Sequence, residues 1–182
     1  VIAARKATVA QCNKELHKTL LEKAPVINVA PEFRIGDSVI YKQNNAVLGL
    51  VNGSVGTVVV ARSNDTVRSI DKQQPIDVPA DIVIEFKNEG RVPMLLKHIK
   101  DFNSGEWYLN HAYAITCHSA QGSEFDIAII VIEESIITER SWLYTAITRA
   151  KNKVVCIGRQ ELIQHIIDKG FAAVQRTVGL QL

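Results

Sequence analysis

Residues 114–126 read AITCHSAQGSEFD, and the fold is decided by how this stretch is parsed. An apolar, β-branched run over 113–117 breaks at a polar turn holding Thr116, His118, Ser119, Gln121, Gly122 and Glu124. A second apolar run, 127–132, then begins. Both runs are expected to be buried strands. In an open α/β sheet, polar side chains at a strand's end lie in the crevice where ligands bind. Gly122, having no Cβ, lets the backbone approach a ligand, and Thr116, His118 and Ser119 can donate hydrogen bonds to phosphate oxygens. The same residue types also suit a plain strand–turn–strand whose polar groups cap one another.

Downstream, 143–151 reads LYTAITRAK. A helix is expected over 141–150, then a strand over 153–157 and a helix over 161–169 that stops at Gly170. Two threonines and an isoleucine are poor surface helix formers, so packing on both sides should hold the first helix. Arg149 follows Thr145 by four residues, which puts both on one helical face. Its planar, permanent charge suits a phosphate, and equally a surface salt bridge.

Upstream, 1–5 is a short apolar run expected as a buried strand. Val9, Cys12, Leu16 and Leu20 then recur at helical spacing until Pro25. A strand feeding a helix at once is the unit of an α/β fold with a parallel sheet. Residues 26–30 suggest another short strand or a connector. Between 33 and 102 the texture changes. Short β-branched runs at 38–41, 55–61 and 82–86 alternate with Gly, Asn, Asp and Pro clusters, as in a small antiparallel barrel. The polar stretch 62–80, with Pro75 and Pro79, reads as a long loop.

The chain has 182 residues and 20.2 kDa, 47% apolar and 22% charged, which excludes a disordered, collagen-like or disulfide-scaffold chain. No apolar run reaches the ~18 residues of a membrane span, and the opening VIAARKATVA lacks the order of a signal peptide. Cys12, Cys117 and Cys156 are far apart, without a CxxC, and read as buried thiols of a reducing, cytoplasmic compartment. The histidines show no metal-ligand spacing, so His17, His98, His111 and His165 read as surface or packing residues and no metal is expected. Charge is uneven. Residues 1–30 carry five basic and two acidic groups, 140–182 seven and two, and the middle nine and fifteen. If the ends fold together, one unit is basic and suited to a polyanion, although solvated faces explain the same counts.

Taken together the two polar stretches resemble a known family, the C-terminal half of superfamily 1B DNA helicases close to the RecD-like branch. AITCHSAQGSEFD is similar to helicase motif V and LYTAITRAK to motif VI. Residues 33–45 (FRIGDSVIYKQNN) and 51–59 (VNGSVGTVV) resemble the opening of the SH3-like insertion of those helicases, and 1–13 (VIAARKATVAQCN) resembles the strand–helix of motif IVa. The resemblance implies a RecA-like parallel sheet flanked by helices over 1–30 plus 104–182, with an SH3-like antiparallel β-barrel inserted over 31–103. It implies that Gly122, Glu124 and Gln121 lie near ATP, and that Thr116, His118 and Ser119 touch single-stranded DNA. Arg149 corresponds to the arginine finger, with Thr148 and Lys151 as its neighbours, and the implied polarity is 5′→3′. The family commonly has Lys after the motif V histidine. Here Ser119 stands there, which weakens or relocates one phosphate contact.

There is no G-x-x-x-x-G-K-[ST] to cradle phosphates. The acidic pair Glu133–Glu134 follows a strand, but downstream of motif V, the wrong order for a Walker B element. The chain is therefore expected to lack the first RecA-like domain, its natural partner, and to bind ATP poorly and hydrolyse none by itself. ATP and Mg²⁺ are expected only with that domain present. A non-catalytic DNA- or protein-binding module is the competing reading, and a Walker A element encoded upstream of Val1 would decide against it. Phe33, Tyr41, Trp107, Tyr108 and Trp142 are the aromatic candidates for stacking on bases. Cys117–His118–Ser119 is not a nucleophile–base pair, because neighbours on a strand face opposite ways.

Overall fold

The computed structural model describes residues 1–27, 30–61, 66–71 and 74–168. In chain order the elements are β1 (Ile2–Ala3), α1 (Lys6–Leu21), β2 (Val26–Ile27), β3 (Ala30–Arg34) and β4 (Ser38–Tyr41). Next come β5 (Val55–Ala61), β6 (Thr66–Asp71), β7 (Gln74–Pro79), β8 (Ile82–Phe86), β9 (Gly90–Met94) and the single turn α2 (Leu96–Ile99). The last are β10 (Leu109–His111), β11 (Ile115–Thr116), β12 (Phe125–Val131), α3 (Arg140–Ile147), β13 (Ala150–Ile157) and α4 (Gln160–Asp168). Two compact units result, Val1–Cys12 with the residues from Ala114 onward, and Asn13–Tyr113. No helix among the described residues is long and apolar enough to cross a membrane.

The first unit is built on a sheet of order β11-β1-β12-β13, parallel at every pairing. Sequence spacing explains that direction. Each strand is followed by a turn, loop or helix long enough to bring the chain back to the same edge, which a parallel pair requires. In β12 and just after it, Ala128, Ile130 and Ile132 are buried while Ile127 is 56% exposed. The run expected to be buried throughout therefore has period 2, with one face in the core. β1 is shorter than the five-residue strand expected, because the chain turns into α1 at once. Glu133, just beyond β12, causes that turn. Its carboxylate accepts the Arg5 amide (2.8 Å) and the Thr8 hydroxyl (2.6 Å), placing negative charge at the positive end of α1. The Arg5 guanidinium bonds the Glu134 carbonyl in turn. Along α1, Val9, Cys12 and Leu16 are half-buried, but Leu20 is exposed, so the apolar stripe fades along the helix.

The second unit carries a five-stranded antiparallel sheet, β10-β4-β5-β8-β9, and two hairpins, β2–β3 and β6–β7. Its core gathers Phe33, Tyr41, Leu50, Ile82, Ile84, Phe86, Met94 and Leu109. Gly56 is needed where β5 crosses β8, since a Cβ there would lie 2.8 Å from the Glu85 carbonyl oxygen and 2.9 Å from the Phe86 ring.

Several expected elements are corrected. The loop read into 62–80 contains the β6–β7 hairpin, with Ile70 opposite Pro75 and Thr66 opposite Pro79. The two prolines are four residues apart, so both fall in the same class of antiparallel pair. In that class the amide can face away from the partner strand, and a missing N–H costs nothing. The helix read over 141–150 ends at Ile147, and Ala150 already belongs to β13. The stop expected at Lys169 and Gly170 lies outside the described residues. Of the cysteines, only Cys117 is buried; Cys12 is half-buried and Cys156 exposed.

Removing the Glu133 carboxylate leaves the Arg5 amide and the Thr8 hydroxyl without this acceptor. Glu133→Ala is expected to destabilise the fold by about 1 kcal/mol, the usual worth of a helix cap, read from the midpoint of urea unfolding. A midpoint unchanged from wild type would show that α1 starts without help from Glu133.

Candidate nucleotide and DNA site on the parallel sheet

The polar stretch after β11 has two ends with different surroundings. At the first, Thr116 closes the strand and the chain turns at once, with the Ala120 amide donating to the Thr116 carbonyl (3.0 Å) and the Gln121 amide to that of His118 (3.2 Å). The Thr116 hydroxyl accepts the Ser119 amide (3.2 Å) and donates to the Ser119 hydroxyl (3.0 Å). This is the self-capping arrangement that the residue types also allowed, in which a threonine side chain stands in for backbone. The Thr116 hydroxyl oxygen has two acceptor lone pairs, of which the Ser119 amide takes one. His118 is exposed beside them.

The second end, Gly122 to Glu124, enters the start of β12. Gly122 has φ +80°, the left-handed region where a side chain is strained. Open space surrounds the position of an added Cβ, so the glycine serves the turn rather than a close packing contact. Gln121, Gly122 and Glu124 are all exposed. Register sets these two ends apart. Ile115 and Ile130 are both level with Ile2, while Phe125, five residues earlier on β12, is level with Ala150. Thr116, His118 and Ser119 therefore gather at the carboxyl end of β11, and Gly122 and Glu124 at the amino ends of β12 and β13. Not all of the stretch lies at the strands' carboxyl ends, as the sequence had suggested.

Arg149 is brought to that second end by strand pairing. The Phe125 amide donates to the Arg149 carbonyl (2.8 Å), and Lys151 forms a 3.2 Å ion pair with Glu124. Arg149 is not on a helical face. Thr148 caps α3 with its amide on the Tyr144 carbonyl, and Arg149 is the link between cap and strand. Pairing of Ala150 with Phe125 pulls the chain out of the helix before Arg149 is reached. The guanidinium folds back, its Nε donating to the Thr145 carbonyl (3.2 Å) and its Nη2 to the Thr148 hydroxyl (3.3 Å). Positive charge there meets the negative end of α3. No carboxylate among the described residues pairs with it. Packing holds α3 on one side only, through Leu143 and Ala146. Tyr144 (66%) and Ile147 (39%) stay exposed, as does Ile136 (96%) before the helix.

Cys117 lies under the turn, its thiol directed to the Trp142 carbonyl at 3.8 Å. Burial raises the pKa of this thiol, and the nearby Arg149 charge pulls it part of the way back.

Of the aromatic candidates, Phe33 and Tyr41 are core residues of the antiparallel unit, with Trp107 and Tyr108 packed partly buried against them. Their rings are spent on packing. Exposed Phe102 (64%) and Tyr144 were overlooked, because nothing in a sequence distinguishes an uncovered ring from a covered one. The reading of the histidines also changes. His17 and His111 converge on the fully buried Asp37, a grouping invisible at separations of 20 and 74 positions. Burial opposes the Asp37 charge, but hydrogen bonds from His111, Tyr113 and the Arg34 amide outweigh it and hold the carboxyl below its usual range.

Comparison with known proteins shows what the chain is similar to. Residues 111–157, which include both polar stretches, match the family of UvrD-like helicase C-terminal domains. An uncharacterized protein of Methanocaldococcus jannaschii is 45% identical over 56 residues, 30% of this chain and 5% of that protein. The RecBCD enzyme subunit RecD of Buchnera aphidicola is 26% identical over 132 residues, 70% of this chain and 18% of the relative. A solved structure of two coordinating Pif1 helicases at forked DNA superposes with TM-score 0.53 and 19% identity, over 90% of this chain and 42% of that one. The chain thus spans less than half the length of each. It is similar to the C-terminal half of a superfamily 1 helicase of the RecD-like kind and has the helicase RecA-like α/β fold.

If Arg149 sits over the Cys117 thiol, losing its charge raises that thiol's pKa further. With Cys12 and Cys156 replaced by Ser, the midpoint of iodoacetamide labelling against pH should lie above that of an exposed thiol, and higher again in Arg149→Gln. A midpoint that Arg149→Gln leaves in place would put the guanidinium away from the turn.

Proposed function

We propose that this chain is the C-terminal motor half of an ATP-dependent 5′→3′ DNA helicase. It would bind single-stranded DNA and contribute an arginine finger to ATP held by a first RecA-like domain. The observation that carries the proposal is the pairing of β12 with β13, in which Phe125 stands level with Ala150, the Phe125 amide bonds the Arg149 carbonyl and Lys151 pairs with Glu124. Two sequence motifs separated by 16 residues are thereby brought onto one pair of strands.

The donor set fits a nucleotide. Gly122 offers backbone at an open, exposed turn, Glu124 a carboxylate suited to ribose hydroxyls, and Arg149 a guanidinium with no carboxylate partner among the described residues. When bound, ATP with Mg²⁺ supplies the γ-phosphoryl group that is transferred to water. The role of Arg149 is to leave the Thr145 carbonyl and stabilise negative charge developing on that group. Gln121 is the remaining nucleotide contact in this reading. Mg²⁺ ligands are assigned to the partner domain, since Glu133 is committed to the start of α1. Exposed Ile136, Tyr144 and Ile147 beside α3 suit an apolar surface covered by that domain.

Thr116, His118 and Ser119, at the other end of the stretch, are proposed to hold the DNA backbone. The antiparallel unit, Asn13–Tyr113, takes the place of the SH3-like barrel that the resemblance puts over 31–103. Separating DNA residues from nucleotide residues along the eight-residue connection between β11 and β12 gives a short mechanical path between them.

Titration of labelled single-stranded DNA with this chain tests the DNA-binding part. Binding should be weak and fall steeply between 50 mM and 200 mM salt as phosphate contacts are lost, with His118→Ala weakening it at least threefold. The chain alone should release no phosphate from ATP with or without DNA. Salt-independent binding, or binding indifferent to His118, would contradict the assignment. DNA binding without any nucleotide response, even when the upstream domain is supplied, would favour the non-catalytic module.

A further inference from the structure

The antiparallel unit holds a cluster that the helicase reading does not use. Asp37, in the turn between β3 and β4, has a completely buried side chain. His17 from α1 reaches one carboxylate oxygen with Nδ1 at 2.9 Å, and His111 at the end of β10 reaches the other with Nε2 at 3.3 Å. The two imidazoles are in edge contact, ring centroids 4.4 Å apart. Each ring keeps limited access to solvent, with 18% and 23% of its side chain exposed.

We propose that His17, Asp37 and His111 form a binding site for a zinc-type divalent metal ion, with water completing the coordination. Three observations converge. One donor atom from each residue lies within 4.8 Å of the others. Zinc bonds of about 2.0–2.2 Å place neighbouring tetrahedral donors roughly 3.3–3.5 Å apart. The His17–Asp37 and His111–Asp37 separations, made to the two different carboxylate oxygens, are 2.9 and 3.3 Å, at or somewhat below that spacing. Two imidazole nitrogens and a carboxylate oxygen also form a donor set suited to zinc and its neighbours rather than to calcium or magnesium.

The second observation is what holds the carboxylate. The Tyr113 hydroxyl donates to Oδ1 and the Arg34 amide to Oδ2, both at 2.6 Å. Outer partners of this kind fix a ligating group's orientation and tune its basicity. The third concerns charge. The Arg34 side chain, whose amide bonds Asp37, is turned away onto the carbonyls of Leu21 (2.7 Å) at the end of α1 and Ala24 (3.4 Å) after it. A neutral imidazole that donates to Asp37 needs only to move its proton to the other ring nitrogen, so the metal can enter without net proton release. Such an ion would fasten the second half of α1 and β10 to the β3–β4 turn.

The test uses the whole chain, stripped with EDTA and titrated with Co²⁺ followed by Zn²⁺. One equivalent of Co²⁺ should produce the visible bands of low-coordinate cobalt, and one equivalent of Zn²⁺ should abolish them. Zn²⁺ should also raise the unfolding temperature, as a ligand of the folded state must. His17→Gln and His111→Gln should each lose the bands, and Tyr113→Phe should weaken binding about tenfold. His165→Gln, on α4, should change nothing. Circular dichroism checks that each variant folds, and either histidine variant is sufficient if the other does not. An absence of bands with wild type, or bands surviving in a folded His17→Gln or His111→Gln protein, overturns the proposal and leaves a hydrogen-bonded knot.

Discussion

The parallel pairing of β12 with β13 is the constraint on which the site depends. It runs from Phe125 opposite Ala150 to Val131 opposite Ile157, with an irregularity just after Phe125. Hydrogen bonding at its first rung, from the Phe125 amide to the Arg149 carbonyl, fixes where the turn after β11 must end and where α3 must let go of the chain. Buried backbone groups have to be paired, so neither end can drift without breaking the ladder. Arg149 consequently belongs to the start of a sheet strand, held by backbone, while its side chain is anchored, among the described residues, by two weak contacts at the tip of α3. A fixed backbone and a releasable guanidinium are what a charge-stabilising residue needs.

The other acidic and basic groups of this unit divide into structural and site roles by what they touch. Glu133 is spent on the first turn of α1, which accounts for an acidic pair in the wrong chain order for metal binding. Glu124 and Lys151 are half-exposed partners whose attraction is screened by water, so their pairing adds little stability and costs little to exchange for a ligand. Among the described residues of the antiparallel unit, the fully buried carboxylate of Asp37 is surrounded by donors from α1, β3, β10 and the segment after it. It ties together parts of the chain that are distant in sequence.

Much of this was legible beforehand. Period and punctuation located the strands around the AITCHSAQGSEFD turn, the long first helix and the run of short antiparallel strands, because those signals are local. The failures were those where the deciding partner is remote. The β6–β7 hairpin was hidden by Pro75 and Pro79, whose harmlessness depends on register with Thr66 and Ile70. The end of α3 was set three residues too late, because its stop signal is not a glycine but the demand of Phe125 for a partner. His17, Asp37 and His111 meet only after folding, and no spacing announces them. At the site itself, residue types identified the right turn, whereas the division into a carboxyl-end and an amino-end group required the register of the sheet.

The central claim is that Arg149 acts on a phosphoryl group bound beside the β12–β13 edge. It is tested most directly by single-turnover ATP hydrolysis in a protein that joins this chain to its phosphate-binding domain, comparing wild type with Arg149→Ala on saturating single-stranded DNA. The account predicts a loss of about 10³-fold or more in the hydrolysis rate, with nucleotide affinity changed far less. Hydrolysis within about twofold of wild type would contradict it.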